Sequence, residues 1–175
     1  MDTSTMALYR NGSFGDDDWQ FPADGDPLPA GKIAVGKARL LAEWPALRQR
    51  NAGVGLVLGV GEKLDGLEDV IGQLALVVLN VAKYSDGRHF SVARLLRDRF
   101  GFRGELRATG DVLRDQIVFL ARAGFDALDI NDAGTAAALR EGRLKAVRHH
   151  YQPASNEAAE ARPGPRPWLR ISEKV

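Results

Sequence analysis

Short runs of apolar residues alternate along the chain with stretches in which apolar positions recur every three to four residues. The runs at 33–35, 54–59 and 74–81 and the segments 105–109 and 125–130 read as strands. Between them, 37–49 reads as a helix interrupted at Pro45, since proline removes a backbone donor. Leu64, Leu67 and Ile71 recur at i, i+3 and i+7 behind Asp65 and Glu68, a capping-box spacing that predicts another helix. Phe90, Ala93, Leu96 and Phe100 predict a helix stopping at Gly101. Leu113, Ile117, Leu120 and Ala121 predict one opened by Asp111 as its N-cap and closed by Gly124. Asn131 or Asp132 caps a last, Ala-rich helix reaching Gly142.

Strands that are apolar throughout, alternating with amphipathic helices, imply an α/β fold with a mainly parallel sheet. About five βα units fit. That is too few for an eight-unit barrel, so the sheet is expected to be open or partial-barrel-like. A partial barrel leaves an edge that a homodimer could cover.

The ends differ from this body. Residues 1–31 concentrate Asp16, Asp17, Asp18, Asp24 and Asp26 among glycine and proline, and read as an acidic, flexible N-terminal arm. Residues 32–152 form the single α/β domain. Residues 153–175 form a tail carrying Pro163, Pro165 and Pro167.

Composition removes several chemistries. The 175 residues include no cysteine, which excludes disulfides, thiolate metal sites and a cysteine nucleophile. The net charge of +1 provides no field for nucleic acid or a membrane surface. No apolar run is long enough to cross a bilayer, and no signal peptide opens the chain, so a cytoplasmic bacterial protein is expected. Arg88, Arg94, Arg97, Arg99, Arg103 and Arg107 form a basic stretch without interleaved aromatics, which reads as a solvated face. His149 and His150 would point to opposite sides of a strand and His89 is remote from them, so no metal site is expected. Gly59-Val60-Gly61 follows a strand as a dinucleotide loop would, but Leu64 stands where the third glycine belongs. No cofactor follows from the sequence.

Polar residues gather where strands end. Lys83, Ser85, Asp86 and Arg88 follow the strand at 74–81. Asp111, Arg114 and Asp115 follow that at 105–109, and Asn131 follows that at 125–130. In parallel α/β folds these loops share one rim, where ligands bind. Lys83 and Arg88 suit a small anion, with Asp86, Asp111 or Asp115 available for proton transfer or hydrogen bonding. Each also has a plainer role: Ser85-Asp86-Gly87 as a turn, Asp111 as a cap, Arg114 and Asp115 as surface charges.

Lys83-Tyr84-Ser85-Asp86-Gly87-Arg88, then Ser91-Val92-Ala93-Arg94-Leu95-Leu96, Gly104 through Gln116, and Ala123-Gly124-Phe125-Asp126-Ala127 resemble a proteobacterial family, domain of unknown function 934. The resemblance runs from about 32 to 154, ending on Tyr151-Gln152-Pro153-Ala154. His89 departs from the family pattern, which has a small residue or glycine there. The resemblance implies a part in assimilatory sulfite or nitrite reduction under an oxidoreductase label. It carries no catalytic residues. Because the chain shows no redox motif, the expectation is a non-catalytic accessory partner of a sulfite or nitrite reductase. The alternative is a small-anion-binding module or enzyme using the strand rim, and a cofactor-dependent oxidoreductase is a third class.

Overall fold

The computed structural model describes residues 7–81 and 87–144. Eight strands form one sheet: β1 (Ala7–Arg10), β2 (Ser13–Gly15), β3 (Trp19–Gln20), β4 (Lys32–Gly36), β5 (Val54–Leu58), β6 (Leu76–Val81), β7 (Glu105–Gly110) and β8 (Ala127–Ile130). Their spatial order is β2-β1-β8-β7-β6-β5-β4-β3. From β3 to β8 every neighbouring pair is parallel, whereas β1 pairs antiparallel with both β2 and β8. The sheet is therefore mixed rather than mainly parallel, and it curls as an open half-barrel.

The antiparallel part comes from the segment expected to be an arm. Residues 7–20 contribute three strands, because Asn11 and Gly12, both at positive φ, turn the chain between β1 and β2. The Asn-Gly pair suits such a tight turn, because both residues tolerate positive φ. Tyr9 and Phe14 pack edge to face, and the Arg140 guanidinium lies 4.6 Å from the Phe14 ring. The tail at 153–175 lies outside the described residues.

The described residues hold four α-helices: α1 (Lys37–Leu47), α2 (Arg88–Arg94), α3 (Ile117–Ala123) and α4 (Ala133–Arg140). They bury Leu40 and Leu47, Ala93, Ile117 and Leu120, and Ala136 and Leu139 into one core, against Val35, Leu56, Leu79, Leu106 and Leu128 of the strands. All helices thus cover the same sheet face. The alternate strand residues Ala34, Leu76 and Val78 pack with Trp19 on the other face.

Three element readings change. Pro45 sits inside α1, which continues to Leu47. The predicted helix after β5 is a run of turns and a short 3-10 helix, Ile71–Gln73, because Gly66 at φ +81° leaves helical space. Leu64, Leu67 and Ile71 are buried as their spacing suggests. Asp111 does not cap α3: its N–H donates to the Val81 carbonyl at 2.8 Å, extending the β6–β7 pairing, and the helix begins six residues later. Asp132 does cap α4, its carboxylate accepting from the Thr135 N–H at 2.6 Å, and hydrogen bonds from the Thr135 side chain and N–H hold the carboxyl below its ordinary range.

The helix after β6 also changes winding. α2 passes into a π-turn at Leu95–Arg99, closed by the Phe100 N–H donating to the Leu95 carbonyl at 3.1 Å. Arg97, on that turn, donates to the carbonyls of Phe102, Gly104 and Gly124 and pairs with Asp126. It is a structural tie between two loops, not part of a solvated face. Arg107 is likewise completely buried.

Arg107 projects from β7 away from the helices. Its guanidinium donates to Asp17 at 2.6 and 3.1 Å and to Glu105 at 2.8 and 3.0 Å, while Asp129 of β8 lies 3.8 Å away. Arg10 also pairs with Glu105 at 2.8 Å. Burial alone would lower the Arg107 pKa, but the hydrogen bonds it donates to Asp17 and Glu105 more than offset it. Burial pushes the Asp129 carboxyl above its ordinary value, against the pull of Arg107 and of a Thr109 hydrogen bond.

The native state therefore keeps the Asp129 proton to a higher pH than the unfolded chain. This group's contribution to stability falls as pH rises from its ordinary value of 3.8 through its raised native value. Asp129→Asn is expected to remove that fall, so the variant gains on the parent across this window in urea unfolding. A variant weaker by more than about 1 kcal/mol at pH 7 would mean that attraction to Arg107 outweighs the burial cost.

Candidate functional site

Beyond the C-terminal ends of β5 and β6 the sheet opens into a cleft of about 580 Å³ on the helical face. Its floor is apolar because Leu58, the last residue of β5, and its β6 neighbour Leu79 both point to the helix-covered side. Leu64, Val92, Leu95 and Phe100 extend that surface. One wall is the loop leaving β5, with Glu62, Lys63, Asp65 and Glu68. The other is α2 with its π-turn, contributing Arg88, His89, Ser91 and Arg99. Asn80 stands at the β6 end of the cleft.

The loop is shaped by its glycines. Gly61 has φ +79°, and a Cβ there would lie 3.2 Å from Arg88 Nη1, so the two walls approach each other at this point. The Glu62 carboxylate turns back to accept from the Gly59 N–H at 2.6 Å. A phosphate held by a glycine-rich turn would need that amide, so the resemblance of Gly59-Val60-Gly61 to a dinucleotide loop ends here. Lys37 reaches across from α1 to donate to the Lys63 carbonyl at 2.6 Å, fixing the loop from behind.

Of the residues nominated from the sequence, Arg88 lines the cleft. Lys83, Ser85 and Asp86 lie outside the described residues. Asp111 and Asn131 occupy the neighbouring part of the rim, where Asn131 Nδ2 donates to the Gly110 carbonyl at 3.2 Å. Arg114 and Asp115 are exposed ahead of α3. None of these four is among the residues lining the cleft. Arg88 follows β6, beside the cleft, whereas Asp111, Arg114, Asp115 and Asn131 follow β7 and β8.

Glu62, Lys63, Asp65, Glu68, Arg99 and His89 were not nominated. Four of them follow β5 directly, in a loop whose apolar spacing imitates a helix and whose glycine pair imitates a cofactor motif. His89 is buried and stacks against Phe90 with ring centroids 4.2 Å apart. Among the described residues, no group of three histidine, aspartate or glutamate side chains is placed to hold a metal ion. No described helix is long and apolar enough to cross a membrane.

A one-sided helical layer on a curled sheet, with a cleft at the strand C-termini, defines an α/β half-barrel with a rim site. The chain belongs to a family of bacterial proteins of unknown function, DUF934, whose sequence profile matches residues 55–161. The match spans β5 to α4, including both walls of the cleft, while β1–β4 precede it. No curated protein matches the chain.

Proposed function

We propose that the protein is a small-molecule-binding module whose cleft takes an organic ligand carrying an anionic group. The observation that supports this best is the cleft itself. Its volume of about 580 Å³ falls in the range of pockets that enclose drug-sized molecules, and its floor is apolar. A bare sulfite or sulfate would fill little of it and would gain nothing from leucine and phenylalanine walls. Arg88 and Arg99 supply the positive side, and arginine suits a planar carboxylate. This favours the ligand-binding reading over the accessory one, while keeping the accessory role as its setting. In sulfite or nitrite reduction, the process the family resemblance suggests, such a module would serve a separate reductase by holding an organic ligand.

A thermal-shift series with hexanoate, 3-phenylpropionate and phenyl phosphate, beside sulfite and sulfate, tests the reading. At least one organic anion is expected to raise the melting temperature saturably. At 100 times its Kd such a ligand adds about 2.7 kcal/mol, a shift of several degrees. Arg88→Ala is expected to remove the response with little change in the unliganded melting temperature, since Arg88 is exposed. Flat melting curves for every organic probe, or responses in Arg88→Ala and Arg99→Ala as large as in the parent, would overturn it.

A further inference from the structure

The charges of the cleft are divided between its two walls. The loop after β5 carries Glu62, Asp65 and Glu68 with Lys63, a formal charge of −2 from three acids and one base. The helical wall carries Arg88 and Arg99, a formal charge of +2 with His89 neutral. The lining is neutral in total but polarised across an apolar floor. Glu62 is partly engaged by the Gly59 N–H, which leaves Asp65 and Glu68 as the outer acidic positions.

A ligand with an anion alone would gain from the arginines but would place its other end against carboxylates. A ligand with a cation alone meets the reverse problem. A charged wall facing an uncharged end loses water without gaining a partner, so the best fit has opposite charges at its two ends and an apolar body between. We infer that the cleft binds a zwitterion of this kind, with an ammonium toward Asp65 and Glu68 and a carboxylate toward Arg88 and Arg99. An apolar amino acid or short peptide has that chemistry. This inference rests on the ligand-binding reading above and specifies its ligand.

Calorimetric titration of the full chain with leucylleucine, its N-acetyl form and its C-terminal amide separates the possibilities. The free dipeptide is expected to bind at least tenfold more tightly than either blocked form, about 1.4 kcal/mol for each lost charge. The double variant Asp65→Asn, Glu68→Gln is expected to weaken the free dipeptide while leaving the N-acetyl form unchanged. Equal binding of the free and N-acetyl forms would overturn the zwitterion and leave the anion reading standing. If none of the three binds while 3-phenylpropionate does, the zwitterion again fails alone. If only the amide binds, or no probe binds at all, both readings fall.

Discussion

Replacing Arg107 by methionine is expected to cost about 3–5 kcal/mol, a large part of a typical domain's 5–15 kcal/mol. The side chain is fully buried, and its removal would take from Asp17, Glu105 and Asp129 the cation they share, leaving Arg10 paired with Glu105. It would also free Asp17, which otherwise ties the segment before β3 to the middle of the sheet across 90 residues of sequence. Urea unfolding should show a lower midpoint, with Arg107→Lys intermediate because an ammonium keeps the charge but loses the fork that grips two carboxylates. Adding Glu105→Gln and Asp129→Asn to Arg107→Met should recover part of the loss, since the buried acids are then neutral. A loss under about 1 kcal/mol for Arg107→Met would show that the cluster is far better solvated than its burial implies.

Gly110→Ala is the second large effect, expected at about 2–4 kcal/mol from left-handed strain and overpacking together. Gly110 has φ +96°, and a Cβ there would fall 2.7 Å from both Asn80 Oδ1 and the Val81 carbonyl oxygen. Val81 cannot withdraw cheaply, because the same carbonyl accepts the Asp111 N–H. Gly87→Ala is the control: its φ is negative, and among the described residues, its chain neighbours aside, no atom lies within 4 Å of the added methyl position. Thermal unfolding should separate the two variants by several degrees, and matched melting temperatures would refute the steric argument.

Gly110 also shows how a local reading goes astray. Gly110-Asp111 after a strand resembles a helix start, and Asp111 is a good capping residue in isolation. The pairing of β6 with β7 extends to Val81 and Gly110, so the Asp111 N–H continues the inter-strand ladder and the helix is delayed to Ile117. Likewise, Leu64, Leu67 and Ile71 have helical spacing, but Gly66 at positive φ turns the same burial pattern into successive turns. Hydrophobic spacing reports which residues are buried more faithfully than which backbone carries them.

The sequence by itself determined the α/β class, the apolar strands β4–β6, the helices α1–α4 in outline, and the presence of polar residues just after the strands. These are short-range properties, written in the period of apolar residues within a few positions. Tertiary structure alone decided the rest. The hairpin of β1 and β2 gains its burial only by pairing with β8 and packing against α4. Arg107 becomes a buried cation only because Asp17, Glu105 and Asp129 converge on it from three segments. The cleft exists because the loop after β5 and the π-turn after α2 stand on adjacent strands, a juxtaposition of residues about 30 positions apart. Local periodicity is blind to such meetings, since it encodes the face a residue presents and not the distant group that face will meet.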